Sequence, residues 1–422
     1  MTTLATRGSR SEQVIITLAF TALFPGFFFY HFLVGTGKIR AFLGGYFAPV
    51  SLLFVLPLVF LYVSQIMRDR TRLARSEMYF GVFLAFFSAV IAVNAANGAN
   101  KVIVIGHMLG IVFMLNTFIM FKMINIAQRE FRVLAMLCLL GMSALIFIFS
   151  VDGRFFLVGL GIASDPNSLA TYQGFARSYL LTFLPIVAYT RALPLRAALY
   201  AIGAASLFLN SARSEFAALL FAIPVIEFCY ARQKLLFILV LASLAALIAT
   251  NLDLLLAHLP NNRILELLDL SQSTSAIARH HLSVHAVQTI SNYPVFGDYA
   301  SYAPGHYSHN ILSAWVDLGI FGIVFLLAIL IMPAIPMFIR ECFSRRNGGD
   351  FVLGFALACI TVLLLFTSHY FTDMLIGATL GAYSRYSYGR KHVKDRAPEL
   401  RRSAPPYLHF RPPVPPPRRA RP

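Results

Sequence analysis

The chain has little charge, and it is poorest in acidic residues. Only 13% of its 422 residues are Asp, Glu, Lys or Arg, and the 35 basic residues outnumber the 18 acidic ones. Hydrophobic residues make up 58%, and the mean hydropathy is +0.71. Soluble globular domains carry about 25% charged residues. This composition therefore argues against that class and indicates a protein that lies mostly in a membrane.

Several motifs that define catalytic classes are missing from the sequence. The four cysteines form no CxxC pair and lie in or beside apolar segments, which predicts neither a disulfide framework nor a redox motif. A Walker motif and a G-x-S-x-G motif are also absent, so ATP-driven transport and serine-hydrolase chemistry have no support. His281 and His285 stand i, i+4 on a predicted helix. No third ligand accompanies them, and we expect no metal and no other cofactor.

Long apolar runs dominate what is present. A membrane-spanning helix needs about 20 apolar residues, and twelve segments of the chain approach or reach this length. They lie at about 13–34, 43–67, 79–96, 102–121, 133–150, 172–190, 197–211, 215–231, 235–252, 311–338, 351–368 and 372–388. The sequence therefore predicts an all-α polytopic membrane protein with about twelve transmembrane helices and one long extracytoplasmic loop that contains a helix.

The positive charge is unevenly divided between the two sides of this predicted topology. With the N-terminus in the cytoplasm, 27 of the 35 Lys and Arg residues fall on the cytoplasmic side and 8 on the other. Cytoplasmic loops of membrane proteins carry such an excess. The bias predicts that both termini are cytoplasmic. It also accounts for the net charge of +17 without a nucleic-acid partner.

The predicted spans divide the chain into four parts. Residues 1–252 hold spans one to nine, 253–310 form the extracytoplasmic loop, 311–388 hold spans ten to twelve, and 389–422 form a cytoplasmic tail. Within the loop, residues 276–291 lack Gly and Pro, which predicts a helix outside the membrane. The tail is basic and contains nine prolines. We expect it to be disordered or polyproline-like and to contact anionic membrane lipids.

Three arginines on the predicted extracytoplasmic side could bind an anion. Arg213 begins the eighth span, where free backbone N–H groups and the helix dipole favour negative charge. Arg177 lies one or two turns inside the sixth span, and Arg279 opens the loop helix. A guanidinium fork suits phosphate oxygens. An alternative interpretation pairs these arginines with nearby acids, which are Glu215, Asp165 and Asp253.

A histidine stands at the mouth of the tenth span. His309 is followed by Asn310, Ser313 and Asp317, whose spacing of i, i+3, i+7 places a polar stripe on one face of an apolar helix. A histidine has an unperturbed pKa near 6.5, so it can take a proton from a hydroxyl group at neutral pH. The alternative is an interfacial histidine that only hydrogen-bonds the loop.

Four local motifs resemble those of the O-antigen ligase and O-antigen/exopolysaccharide polymerase superfamily of bacterial inner-membrane glycosyltransferases. They occur in the family's order along about 154–322. The matches are Arg154 with residues 165–170 (DPNSLA), residues 211–214 (SARS), Arg279 with residues 292–297 (NYPVFG), and residues 308–322, which begin SHN and contain Asp317, Gly319 and Gly322. Asp298 and Asp317 depart from the residues that are common in the family.

The resemblance implies a metal-independent, inverting transfer of a glycan from undecaprenyl diphosphate to an acceptor hydroxyl group, with the active site on the periplasmic side. It implies that His309 is the catalytic base and that Arg213 and Arg279 bind the diphosphate, with Arg177 and Arg154 as further candidates. Asn310, Asp317 and Asn167 are candidate supporting residues.

The acceptor is left open by the sequence. A polymerase would extend a growing lipid-linked chain in O-antigen or exopolysaccharide biosynthesis, and we favour it. A ligase would transfer the finished chain to the lipid A core of lipopolysaccharide. A third possibility, from another class, is a transporter or flippase of lipid-linked sugars, which would be expected to contain paired broken helices or internal repeats.

Overall fold

Nearly all of the regular secondary structure that the structure, a computed structural model, describes is helical. The described residues are 9–43, 45–69, 73–155, 172–251, 264–265, 274–341 and 347–402. The helices are α1 (Arg10–Thr21), α2 (Phe27–Gly35), α3 (Phe47–Asp69), α4 (Arg75–Ala96), α5 (Lys101–Met123), α6 (Arg129–Ile148), α7 (Tyr172–Tyr189), α8 (Leu193–Leu209), α9 (Arg213–Tyr230), α10 (Lys234–Thr250), α11 (Thr274–Asn292), α12 (Leu312–Glu341), α13 (Gly349–Thr367) and α14 (Met374–Arg402). An isolated bridge between Val151 and Arg154 is the one β feature of the described residues.

Seven of these helical segments are long and apolar enough to cross a membrane. They are α1 with α2, then α3, α4, α5, α6, α12 and α13. The five remaining predicted spans coincide with α7 to α10 and α14, which are shorter or more polar. The chain is therefore an all-α, multi-pass membrane protein, as predicted. The count of twelve spans stays a prediction.

Two predictions concern residues outside the spans. The loop helix expected at 276–291 is present as α11, which extends from Thr274 to Asn292. The prediction of an irregular tail from residue 389 is wrong for 389–402, because α14 continues to Arg402. Eight of the nine tail prolines follow residue 402, and residues 389–402 contain six Lys and Arg residues and one each of Ala, Glu and Leu, which favour helix. Residues 403–422 lie outside the described part of the chain.

The first predicted span is interrupted by a π-helical turn. Residues 22–26, which include Pro25, separate α1 from α2. Proline lacks a backbone N–H and so removes a hydrogen bond from a continuous helix. The hydroxyl group of Tyr46 donates to the carbonyl oxygen of Ala22 at 3.0 Å. This contact gives the carbonyl a partner inside the bundle, where no water would be available.

Helix α12 is broken at Gly319, and residues 294–298 fill the break. Gly319 has φ +68° and ψ −169°, which lie outside the helical region. The amide of Ile320 donates to the carbonyl oxygen of Pro294 at 3.2 Å, and the amide of Asp298 donates to Val316 at 2.7 Å. A Cβ atom on Gly319 would collide with the backbone of Val295. Glycine is therefore required here for its backbone conformation and for the close approach of a second chain segment.

Helices α5 and α14 approach each other closely. Gly377 and Gly381 of α14 face the backbone carbonyl groups of Met114 and Phe118 in α5, with no room for a Cβ atom on either glycine. Small residues four positions apart allow helices to pack at short distance in a membrane. This contact fixes the start of α14 beside the second half of α5, and residues at the start of both helices line the cavity described below.

The topology predicts opposite labelling of two exposed positions. In a background without the four native cysteines, Ser301→Cys should react with a membrane-impermeant thiol reagent added outside spheroplasts, because Ser301 precedes α12 on the predicted outer side. Gln233→Cys, between α9 and α10, should react only after lysis. Both residues are exposed. The reverse pattern would place the candidate site in the cytoplasm and contradict the function proposed below.

Candidate functional site

A cavity of about 500 Å³ lies where the first turns of α5, α7 and α14 meet the segment before α12. One part of its wall is apolar. This part consists of Phe24, Phe27, Phe47, Val102, Ile103, Phe113 and Met374. The other part carries polar and ionisable side chains. They include His107, Gln173, Arg177, Tyr302, Tyr307, His309, His369, Tyr370 and Asp373.

Four ionisable side chains at the polar wall form what we call the charge ring, which consists of Arg177, Glu215, His369 and Asp373. Arg177 Nη1 lies 3.2 Å from Asp373 Oδ2, and Arg177 Nη2 lies 3.8 Å from Glu215 Oε1. His369 Nδ1 lies 3.0 Å from Asp373 Oδ2, and His369 Nε2 lies 3.4 Å from Glu215 Oε1. The side chains of Glu215, His369 and Asp373 are at most 5% exposed, whereas that of Arg177 is 26% exposed.

His309 lines the same cavity, just before α12 begins. Its ring lies 4.6 Å, centroid to centroid, from the ring of Tyr307. Within the described part of the chain, neither of its ring nitrogens has a hydrogen-bond partner. Burial, and then the positive charges of Arg279 and His369, lower the pKa of His309 to about 4. The imidazole is therefore neutral at pH 7 and can accept a proton.

Arg279 and Arg213 lie near each other beside the cavity. Burial, followed by the charge of Arg213, lowers the pKa of Arg279 from its ordinary value. The opposite effect, which raises the pKa of Arg279, comes from Tyr172, Glu215 and Tyr307. Both arginines are partly buried. Two cations held close together raise the electrostatic potential locally, which favours a bound anion.

Asp317 anchors the segment before α12 rather than lining the cavity. It is fully buried. Its carboxylate accepts hydrogen bonds from the amide of Ala300 at 3.0 Å, from the hydroxyl of Tyr302 at 2.9 Å, and from the hydroxyl of Tyr370. His107 extends the network, because its Nε2 lies 2.7 Å from the Tyr370 hydroxyl. These bonds fix the side of the cavity that carries Tyr302 and Tyr307.

Asn310 caps helix α12. Its side-chain oxygen accepts from the amide of Leu312 at 3.0 Å and from the hydroxyl of Ser308 at 2.8 Å. Its side-chain nitrogen donates to the hydroxyl of Ser283 in α11 at 3.2 Å. Asn310, the first residue of the polar stripe predicted from the sequence, thus joins α11 and the segment before α12 to the start of α12. The stripe does not extend the cavity into the membrane.

The structure separates the predicted site residues into groups. His309 and Arg177 line the cavity, Arg213 and Arg279 lie beside it, and Asn310 and Asp317 support its walls. Arg154 is exposed, in the turn closed by Val151, and is not among the described residues that line the cavity. Asn167 lies outside the described residues.

Sequence reasoning missed His107, His369 and Asp373. His369 lies in the short connection between the last two predicted spans and Asp373 at the start of the last one, on the same predicted side as His309. His107 is an ionisable residue inside the fourth predicted span, and such residues usually face the interior of a bundle. The predicted topology could therefore have brought all three to attention.

No protein-family model matches the chain, and no curated protein matches it. The assignment of a function depends on the cavity and on the sequence motifs.

We predict that Asp317→Asn destabilises the wall of the cavity. An amide cannot accept from all three donors that face Asp317, and each buried donor left without a partner costs about 1–3 kcal/mol. Thermal unfolding of the purified protein should begin at a lower temperature, and chymotrypsin should cleave within 298–307 more rapidly. Asp298→Asn, in the same loop, is the control and should behave like the wild type. Equal cleavage of the wild type and Asp317→Asn would contradict the anchoring role.

Proposed function

We propose that the protein is a membrane glycosyltransferase that moves a glycan from undecaprenyl diphosphate to an acceptor sugar hydroxyl group. The observation that carries the proposal is the neutral histidine His309 in a cavity that also holds Arg177, with Arg279 and Arg213 beside it. A base and a group of cations are what a transfer from a diphosphate requires. The sequence motifs around His309, Arg213 and Arg279 support the same function by resemblance.

The proposed reaction is a single displacement with inversion at the anomeric carbon. Nε2 or Nδ1 of His309 takes the proton of the acceptor hydroxyl group as its oxygen attacks the anomeric carbon. The bond from that carbon to the diphosphate oxygen breaks, and undecaprenyl diphosphate leaves with the electron pair. Negative charge grows on the diphosphate during this step. Fixed cations in a site that excludes water stabilise that charge more than water does.

The leaving group removes the need for a nucleotide or a metal in this proposal. A diphosphate is already a good leaving group, and the arginines supply the positive charge that it needs. The apolar wall of the cavity, with Phe24, Phe27 and Phe113, suits the prenyl chain of the same donor. Under the predicted topology, the ends of α5, α7, α12 and α14 that meet here all face the periplasm of a bacterium.

We favour a polymerase that joins lipid-linked repeats of an O-antigen or exopolysaccharide, with an O-antigen ligase as the alternative. The test is transfer by the purified protein between defined undecaprenyl-diphosphate oligosaccharides, with products identified by mass spectrometry. A longer lipid-linked glycan indicates a polymerase. A product formed only when lipid A core is supplied indicates a ligase. Absence of any product would contradict both.

A transporter of lipid-linked sugars is a second candidate because two helical segments are interrupted, one at residues 22–26 and the other at Gly319. In transporters, the backbone groups freed by such breaks bind the substrate or its coupling ion. Here the carbonyl of Ala22 accepts from Tyr46, and the groups around Gly319 bond to residues 294–298. These freed groups already have protein partners, which favours the enzyme. Uptake of donor lipid by proteoliposomes without transfer would favour the transporter.

We predict that Arg279→Ala and Arg213→Ala each lower transfer strongly without preventing membrane insertion. The loss of one charge-assisted contact to a diphosphate costs about 2–4 kcal/mol of transition-state stabilisation, or about 30- to 1,000-fold in rate. Lysine should restore only part of the activity because it lacks the guanidinium fork. Arg154→Ala is the matched control, since Arg154 is exposed whereas Arg279 and Arg213 are partly buried. Unchanged transfer by both Arg279→Ala and Arg213→Ala would mean that these two arginines have only structural roles.

We predict that His309→Gln slows transfer by about 10²- to 10⁴-fold, the usual contribution of proton transfer, while binding of the lipid diphosphate survives. The pH profile gives a second test. The base must be neutral, so kcat/KM should fall only as the pH approaches the pKa of about 4 of His309 in the free enzyme. A bound diphosphate opposes the cations around His309 and raises this pKa. The acid limb of kcat should therefore lie at higher pH than that of kcat/KM.

His306 is the control for this prediction. It lies three residues before His309 and is exposed. His306→Gln should keep both the rate and the pH profile of the wild type. A fully active His309→Gln protein with the same acid limb would refute the assignment of the base.

A further inference from the structure

One oxygen of each carboxylate in the charge ring lies near both basic side chains. Oδ2 of Asp373 lies between Arg177 Nη1 and His369 Nδ1, and Oε1 of Glu215 lies between Arg177 Nη2 and His369 Nε2. A neutral imidazole has one N–H and would turn a lone pair toward one of the two carboxylates. Both nitrogens of His369 lie within ion-pair distance of a carboxylate oxygen, which suits an imidazolium at this position.

The groups that face His369 from every side agree with this protonation state. Burial disfavours the charge, but Asp373 and Glu215 outweigh it and raise the pKa of His369 above its ordinary value, even against Arg177. Two other titratable groups face the charge ring from the segment before α12. Burial, followed by the nearby cations, lowers the pKa of His309, and burial raises the pKa of Tyr307, so both are neutral at pH 7.

With His369 protonated, the two positive and two negative charges of the ring cancel. If His369 were neutral, the ring would carry one net negative charge at the cavity wall and would repel an anion. Arg177 is the member that can meet a ligand, because it lines the cavity and its side chain is 26% exposed. Its Nε atom is buried and has no hydrogen-bond partner among the described residues.

We propose that the charge ring is the subsite that receives the diphosphate, with His369 as a positioning residue whose positive charge neutralises Glu215 and Asp373 and so leaves Arg177 available to the anion. The inference rests on the proposed function for the identity of the anion. It assigns to His369 a role distinct from that of His309, because His369 contributes charge and takes no proton from the acceptor.

The experiment is a double-mutant cycle that varies the net charge of the ring, which we call the charge cycle. The affinity of each purified full-length protein for inorganic pyrophosphate is measured by isothermal titration calorimetry at pH 6.5. His369→Gln leaves the ring with one net negative charge, and we expect about tenfold weaker binding from one unit charge at this range. His369→Gln combined with Asp373→Asn restores neutrality and should bind within about twofold of the wild type. Asp373→Asn alone adds a positive charge and should bind more tightly.

The chosen substitution at 373 keeps the start of α14 intact. Oδ1 of Asp373 accepts from the amide of Leu375 at 2.9 Å, and asparagine caps a helix as well as aspartate does. His306→Gln, at an exposed histidine, should bind like the wild type. The charge on His369 is present below its raised pKa and is lost as the pH rises through it. The difference in affinity between the wild type and His369→Gln should therefore close as the pH increases toward 9.

The outcomes separate this inference from the proposed function. A double variant that binds more weakly than His369→Gln would overturn the inference, because geometry and not net charge would then set the affinity. So would a wild-type protein that binds no pyrophosphate. If the charge cycle holds but no glycan transfer occurs, the anion subsite stands and the glycosyltransferase proposal falls. If transfer occurs but the cycle fails, only the inference falls.

Discussion

The mutual neutralisation of four charges, three of them buried, is the constraint on which the site end of the bundle depends. Arg177 comes from α7, Glu215 from α9, and His369 and Asp373 from the connection between α13 and α14. A buried charge that loses its partner costs about 3–5 kcal/mol. These helices can therefore meet only in an arrangement that brings all four groups together. The same arrangement places a partly exposed guanidinium at the wall of an otherwise largely apolar cavity.

A second polar network fixes the part of the polar wall that carries Tyr302 and Tyr307. Asp317 holds the loop through Ala300 and Tyr302 and holds the connection between α13 and α14 through Tyr370. The break at Gly319 adds backbone bonds to residues 294–298. Both networks join segments far apart in sequence, and both converge on Tyr370 and its neighbour His369. The connection between α13 and α14 is therefore shared by the charged wall and by the wall that carries His309.

The helices, and part of the site, were predictable from sequence because their causes are local. Apolar runs predict helices segment by segment, and His309, Arg213 and Arg279 stand at helix starts or in a loop helix, where a short window of sequence reveals them. The charge ring was not predictable in the same way. Asp373 lies 196 positions from Arg177 in the sequence. The spacing between His369 and Asp373 does not indicate which helices these two residues contact. Glu215, one of the acids that the sequence offered as partners for the three arginines, lies 3.8 Å from Arg177, but Asp373 is the closer partner at 3.2 Å.

Two of the three histidines that line the cavity, His309 and His369, are suited to different tasks because their neighbours have opposite charge. Burial disfavours the charged form of both. At His309 the nearby charges are cations, which act in the same direction and keep the imidazole neutral at pH 7. At His369 two carboxylates reverse the effect of burial and keep the imidazolium. When the surroundings of two like groups shift their pKa values in opposite directions, one group can transfer a proton while the other carries a charge. A cavity in which one histidine is neutral and another is charged can thus accept a proton and bind an anion at the same pH. A displacement on a glycosyl diphosphate requires both.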